Sequence, residues 1–342
     1  MPHTLRRWFA EREEPAYRLR QVLAWVYAAR ATSFAVMTNL PRELRRELEQ
    51  CFTLAWPRPA EVWRSSDGTR KLLFVLSDGA AIESVLIPDP PRLTLCVSSQ
   101  VGCGMGCQFC ATARLGLRRN LSAAEILAQV LAAQELLAPG QRITNVVFMG
   151  MGEPLANYQN LVQALEVLLS DWGLGFSGRR VTVSTVGLLP QMRRLVSETP
   201  VQLAVSLTGT TEEQRSALMP VNRRYPLEAL VEACRALPLP QRRRITFEYV
   251  LLAGVNDRPE DADRLAALLR GVRAKVNLIP FNPFPGAPFD RPRDVVVEQF
   301  RERLLARRLF ASVRRSRGLD VQAACGQLAV ARAGQEGSAA AL

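Results

Sequence analysis

Apolar residues recur at helical spacing over the first fifty or so positions. In YRLRQVLAWVYAAR, at 17–30, Leu19, Val22, Leu23 and Val26 share one face while arginines hold the other, which predicts an amphipathic helix. PRELRRELEQC, at 41–51, predicts a second helix that opens with proline in the tolerated first turn. The stretch 57–70 carries Pro57, Pro59, Ser65, Ser66 and Asp67-Gly68 and reads as a linker or turn region. Strands are predicted at 71–76 and 80–87 around a Ser77-Asp78-Gly79 turn. From residue 93 the pattern alternates. Short β-branched runs at 93–97, 143–149, 181–185, 201–207, 245–252 and 276–280 are separated by helical patterns at 122–138, 158–170, 188–197, 226–236, 260–270 and 295–307. Ser122 and Glu125 stand in capping-box register at the first of these helices. Six β/α units make an α/β chain with a parallel sheet and right-handed crossovers, either an open sheet or a partial barrel. In such folds the chemistry sits at the carboxyl ends of the strands. The predicted division is a helical unit at 1–56, a linker and β-hairpin at 57–92, the α/β body at 93–332 and a small, polar, disordered tail at 333–342.

Composition narrows the chemistry. The chain has 342 residues, 48% hydrophobic and 22% charged, an ordinary globular balance. No apolar run approaches the ~18 residues of a membrane span. The N-terminal stretch lacks the apolar core of a secretory signal, so a cytosolic location is expected. There, seven cysteines point to ligands or reactive thiols in preference to structural disulfides. The only histidine is His3, beside a terminus expected to fray, which excludes His-dependent triads, His-rich zinc sites and a histidine base. Any base must be a carboxylate, a thiolate or a rarer group. The net charge of +12 points to a polyanionic partner. Of 44 basic residues all but Lys71 and Lys275 are arginine. A GC-rich genome accounts for the ratio but not for the excess over acid, and the guanidinium fork suits phosphate. Arg118-Arg119, Arg179-Arg180, Arg223-Arg224, Arg242 to Arg244 and Arg314-Arg315 are either solvated surface charge or parts of a phosphate-binding face.

The sharpest feature is VSSQVGCGMGCQFCATARLG, in which Cys103, Cys107 and Cys110 follow the first strand of the α/β body at C-x3-C-x2-C spacing. Three thiolates on one short loop can ligate three irons of a [4Fe–4S] cube and leave the fourth open. Zinc, the alternative, normally takes four nitrogen or sulfur ligands. Gly102, Gly104 and Gly106 let the loop wrap closely, and Phe109 would shield one side. After the second strand, Gly150-Met151-Gly152-Glu153-Pro154 is either a tight turn or a place where backbone and Glu153 meet a ligand amine or ribose. Cys51 and Cys234 fall in helical patterns and read as packing residues. By spacing alone Cys96 and Cys325 could be buried structural thiols, and Glu83 a solvent-facing strand residue.

The three-cysteine spacing, with an aromatic before the last cysteine, resembles the signature of the radical S-adenosylmethionine (SAM) superfamily, and the GMGEP turn resembles its contact to the SAM amino group. CVSSQVGC, GLRRNL, GMGEP, VTVSTVG, NLIPFNPFPGAP and AACGQL, with YRLRQVLAWVY before them, occur in the order and spacing of the RlmN/Cfr family of RNA methyltransferases, over roughly residues 15–330. NPFPGAP is similar to the RlmN branch. This resemblance implies a partial (β/α)6 barrel behind a small helical domain that contacts RNA. It implies a [4Fe–4S] cluster on Cys103, Cys107 and Cys110, and SAM contacts from Gly152, Glu153, Ser184, Ser206, Leu207, Thr208 and Asn282. Thr208 departs from the pattern, since the family usually carries histidine there.

The resemblance also implies a reaction. Cys325 accepts a methyl group from a first SAM. A radical generated from a second SAM removes a hydrogen from that methyl, and the methylene adds to carbon 2 of adenine, which is too electron-poor for ordinary methyl transfer. Glu83 matches the proton acceptor. Cys96 releases the product through a transient disulfide with Cys325. The implied substrates are an adenosine of the peptidyl-transferase centre in 23S rRNA and the adenosine next to the tRNA anticodon. An electron donor such as flavodoxin or ferredoxin is implied, and a monomer is expected. Methylation at carbon 8 in the manner of the Cfr branch, or an inactive RNA-binding relative, are the alternatives. The joint presence of Cys96, Glu83 and Cys325 argues against the inactive relative.

Overall fold

The computed structural model describes residues 2–54 and 57–330. The tail expected to be disordered from 333 lies outside the described residues. The chain opens with helix α1 (Pro2–Ala10), where a frayed end was expected. Helix α2 (Ala16–Leu23) does not run on as one α-helix to residue 30: it widens into a π-turn at Ala24–Ala28, with the Ala29 amide bonded to the Ala24 carbonyl at 2.9 Å. Val22 and Leu23 before the wider turn and Val26 and Tyr27 within it are all buried. Helix α3 (Arg42–Cys51) completes this unit, whose buried residues are continuous with the core of the α/β body. Cys51, read as packing, is exposed at the last position of α3, while Cys234 is buried as expected.

The sheet begins earlier than the periodicity indicated. Strand β1 (Glu61–Arg64) lies inside the predicted linker and pairs antiparallel with β2 (Arg70–Val75), which pairs with β3 (Ala81–Asp89) and that with β4 (Arg92–Cys96). Its residues alternate between half-buried and exposed, so the apolar signal was weak. A separate hairpin, β5 (Gln100–Gly102) and β6 (Leu117–Asn120), brackets the cysteine loop and the short helix α4 (Ala111–Arg114). Then follow α5 (Ala123–Glu135), β7 (Asn145–Phe148), α6 (Tyr158–Leu169), β8 (Val181–Thr185), α7 (Leu189–Glu198), β9 (Gln202–Ser206) and α8 (Glu212–Leu218). The chain continues through α9 (Leu227–Arg235), β10 (Ile245–Leu251), α10 (Pro259–Leu268), β11 (Ala274–Pro280), α11 (Asp294–Ala306) and β12 (Ala311–Val313). The capping box at Ser122 and Glu125 is present.

One ten-stranded sheet has the order β1-β2-β3-β4-β7-β8-β9-β10-β11-β12. From β4 to β12 every neighbouring pair is parallel. Strand order follows chain order without reversal, so right-handed crossovers put the helices on one face and curl the sheet into an open, partial barrel. β12 adds one parallel strand to the six expected. It is three residues long, too short for a periodic signal.

Alternation sorts the two faces. Val181, Val183, Phe247, Tyr249, Val276 and Leu278 are buried in the core. Thr182, Ser184, Thr246, Glu248, Lys275, Asn277, Ser312 and Arg314 take the other parity and line cavities on the concave face. The barrel interior is therefore polar and chargeable. No helix among the described residues is long and apolar enough to cross a membrane.

The ends of the cysteine loop are pinned by an amide of Cys103 donating to the Gly116 carbonyl at 2.8 Å. Gly102 and Gly116 both have positive φ, 74° and 65°. A Cβ on Gly102 would lie 1.9 Å from that carbonyl oxygen, whereas one on Gly116 meets nothing within 4 Å. Gly116→Ala should therefore cost only the left-handed backbone strain, about 1–2 kcal/mol. Gly102→Ala should cost clearly more and lower iron uptake on anaerobic reconstitution. Denaturation midpoints and iron content of the two variants check this; equal losses would contradict it.

Candidate active site at the carboxyl edge of the sheet

Cys103 and Cys107 are buried and Cys110 half-buried in one cavity at the carboxyl edge of the parallel strands. Burial pushes the Cys103 thiol up to about 11 and Cys107 well above its ordinary value, and raises Cys110; the thiols also repel one another's charge. Thiols raised in this way keep their protons unless a cation takes the protons' place, and three free thiols on one cavity offer thiolate ligands to such a cation. Among the described residues no three cysteine, histidine or carboxylate side chains converge on a single-ion site. A cube places each thiolate on a different iron, and three free cysteines lining one cavity fit that donor set.

The loop is held from three sides. The Gln108 amide donates to the Leu218 carbonyl at 3.0 Å, and the Ala111 amide to the Gly326 carbonyl at 2.7 Å. Gln100 bridges the loop to the glycine-rich turn, donating to Asn120 Oδ1 at 2.7 Å and accepting from the Glu153 amide at 2.8 Å. Gly152, at φ 100°, lies against Gln100, whose Cβ would stand 2.6 Å from an added methyl. Sequence reasoning did not single out Gln100. It also missed Arg215 on α8, a fully buried guanidinium that donates to Asn222 Oδ1 at 2.7 Å and the Val186 carbonyl at 2.8 Å. Burial lowers Arg215 to about 10, and negative charge on Cys107 opposes that shift. Its segment, EEQRSAL, is polar and carries no local pattern that marks the arginine as buried.

Of the residues expected to meet SAM, Gly152, Glu153, Ser184, Ser206 and Asn282 line the same cavity as the three cysteines and Cys325. Glu153 is buried; its carboxylate accepts from the amides of Leu155 at 3.0 Å and Val186 at 2.9 Å, and burial pushes it up to about 7. Leu207 and Thr208 do not reach the cavity wall. Both are fully buried, and Thr208 occupies φ 51°, with its carbonyl accepting from Asn256 Nδ2 at 2.9 Å. A β-branched side chain is strained there, where histidine is better tolerated.

A second, larger groove of about 630 Å³ opens beside the first and shares Cys110, Cys325, Glu248, Asn282 and Arg314 with it. Cys96, at the end of β4, lines this groove with Cys325. Both are free thiols. Burial pushes Cys96 up to about 12, negative charge on Cys325 adds to the shift, and Arg314 opposes it. Arg314, expected only as one of a surface pair, turns inward: it donates to Met149 Sδ at 3.3 Å, and the charges of Cys325, Glu248 and Cys96 hold it protonated. Arg119 is also engaged internally, with Asp78 and Glu125 each at 2.9 Å, whereas Arg315 is exposed. Asn282 Nδ2 donates to the Cys325 carbonyl at 3.0 Å and fixes the segment that carries it.

Glu83 lines neither cavity. It shares a face of β3 with Val85 and Ile87, which do line the groove, but it is fully buried and not solvent-facing. Its Oε2 accepts from the amides of Ala329 at 3.0 Å and Val330 at 3.2 Å, and its Oε1 stands 3.2 Å from Lys71 Nζ. Removing one member of such a pair strands a buried charge. Lys71→Met should therefore destabilise the fold by about 3–5 kcal/mol, and Lys71→Met with Glu83→Gln should recover most of it. Chemical denaturation of the three proteins checks this; a single variant as stable as the original chain would contradict it.

A family model described as the ribosomal RNA large subunit methyltransferase N-terminal domain matches residues 2–54, and one described as the radical SAM superfamily matches residues 97–266. The dual-specificity RNA methyltransferase RlmN of Desulfosudis oleivorans is 53% identical over 323 residues, covering 94% of this chain and 87% of that one. That of Syntrophobacter fumaroxidans is 52% identical, covering 95% of each. A crystal structure of a radical SAM methyltransferase from Sphaerobacter thermophilus superposes with a TM-score of 0.89 at 46% identity, over 96% of this chain and 97% of that one. Likeness of that degree, running through the helical unit and the cysteine-bearing barrel alike, shows that the chain belongs to the RlmN family of radical SAM, SAM-dependent RNA methyltransferases.

Proposed function

We propose that this enzyme makes 2-methyladenosine in two RNAs, at the peptidyl-transferase centre of 23S rRNA and next to the tRNA anticodon, with Cys325 as methyl carrier and Cys96 as resolving thiol. The observation that carries the reading is the placement of Cys325. It stands between the cavity of the three loop cysteines and the groove that holds Cys96. A group carried on its sulfur can face the first cavity while it is activated and the second while it is delivered.

Cys103, Cys107 and Cys110 hold the cluster in this reading, and Gly152, Glu153, Ser184, Ser206 and Asn282 form the walls against SAM. Bound together, the cluster and SAM supply the radical that takes a hydrogen from the methyl on Cys325. Two SAM molecules are used per turnover, one as methyl donor and one as radical source. The protein's residues do the rest. Asn282 and the Ala111 amide fix the backbone of residues 325 and 326, which holds the sulfur in place. Burial keeps Cys96 protonated until the product must be released, and Arg314 favours its thiolate when it attacks the Cys325 sulfur. Glu83, the proton acceptor implied by resemblance, lies under Ala329 and Val330, so its service requires that cover to lift. The groove mouth carries Arg92, Arg315 and Arg317, suited to the phosphates flanking an extruded nucleotide. A cytosolic, monomeric enzyme reduced by a flavodoxin- or ferredoxin-type donor completes the proposal.

The two cysteines should fail differently. Cys325→Ala should yield neither methylated RNA nor a covalent complex. Cys96→Ala should still load a methyl group and add it to adenine, then stall with RNA attached, seen as a shifted band on a denaturing gel. Nucleoside mass spectrometry of RNA from the unaltered enzyme should show 2-methyladenosine. If neither variant traps RNA, the carrier mechanism does not apply, and 8-methyladenosine would move the chemistry to the other carbon.

A further inference from the structure

Glu248 is the one charged residue in ITFEYVL, the strand β10, and only one of its two carboxylate oxygens has a hydrogen-bond partner. It is 5% exposed, yet it forms part of the wall of both cavities that Cys325 borders. Its Oε1 accepts from Asn277 Nδ2 at 3.1 Å, and Asn277 Oδ1 in turn accepts from the Ser312 hydroxyl at 2.8 Å. That chain fixes the carboxylate plane. Its Oε2 is buried and has no hydrogen-bond partner. A buried acceptor left open in a binding cavity is unfavourable unless a ligand fills it. Arg314 and Lys275 line the same groove and favour the charged form against the burial that raises its pKa.

We propose that Glu248 Oε2 accepts a hydrogen bond from the 6-amino group of the target adenine, and so selects adenine as the base delivered to Cys325. The inference rests on the reading that adenine carbon 2 is the acceptor. Carbon 2 and the amine on carbon 6 flank N1 on one edge of the ring, so a base with carbon 2 at Cys325 turns its amine toward the neighbouring wall. In its ionised form, which Arg314 and Lys275 favour, the carboxylate accepts and does not donate, so it pairs with the amine on carbon 6 of adenine and repels the carbonyl oxygen that guanine carries there. Glu83 cannot take this part while the Ala329 and Val330 amides and Lys71 occupy it.

The test is an affinity cycle on the cluster-loaded full chain without reductant, so that no turnover intervenes. The RNAs are a 23S rRNA fragment carrying adenosine at the target position and the same fragment carrying purine riboside, which lacks only the amine. The unaltered enzyme should bind the adenosine RNA about 10- to 100-fold more tightly. Glu248→Ala should abolish that preference, while Glu248→Gln, which keeps an acceptor oxygen and the shape, should retain part of it. SAM affinity should change far less than the RNA preference in both, although Glu248 borders the SAM cavity as well. Equal weakening for the two RNAs, no preference in the unaltered enzyme, or a loss of SAM affinity of similar size would each overturn the assignment. Because binding is read without chemistry, failure here is distinct from failure of the carbon-2 reading, which nucleoside mass spectrometry reports separately.

Discussion

The site depends on one connection across the chain: the hydrogen bond from the Ala111 amide to the Gly326 carbonyl, 2.7 Å long, which ties the cysteine loop to the C-terminal segment. Cys110 and Cys325 are the residues immediately before its two ends. Neither element is regular enough to place a sulfur by itself, since one is a glycine-rich loop and the other follows a three-residue strand. Neighbouring bonds reinforce the connection. Thr112 Oγ1 donates to the Leu328 carbonyl at 2.6 Å, Gln327 Nε2 to the Pro283 carbonyl at 2.7 Å, and Asn282 to the Cys325 carbonyl at 3.0 Å. Loops from three parts of the chain thereby become one connected rim over the open end of the barrel.

That rim works because the barrel interior beneath it is polar. Helices cover the convex face and take the apolar parity of each strand, which frees the opposite parity for chemistry. Charges placed there need partners, and the composition shows how they are met. Arginine replaces lysine everywhere except Lys71 and Lys275. One is buried against Glu83, and the other lines the groove with Glu248. An ammonium is compact, whereas a planar guanidinium demands room for five donors.

Much of this was legible in the sequence. The parallel strands follow the apolar runs closely, at 181–185 to the residue, because each is buried on the helix side and flanked by turn residues. That the three cysteines would meet in one cavity was legible from their spacing on one short loop. β1 and β12 were not, being short and half-buried or only three residues long. The inward turn of Arg314 and the burial of Arg215 depend on tertiary packing that no local pattern encodes. Glu248 did leave a signal, a lone carboxylate in an apolar strand. Thr208 shows the reverse: a position legible through resemblance whose side chain the backbone holds away from the cavity.

The central claim is that three thiolates hold a four-iron cluster with one iron open toward the cavity shared with Cys325. Mössbauer spectra of iron-57-reconstituted protein, recorded with and without SAM, test it most directly. The account predicts four irons per chain, one of which changes its spectrum on addition of SAM while the other three do not. Four equivalent irons that ignore SAM, or a single mononuclear iron, would contradict it.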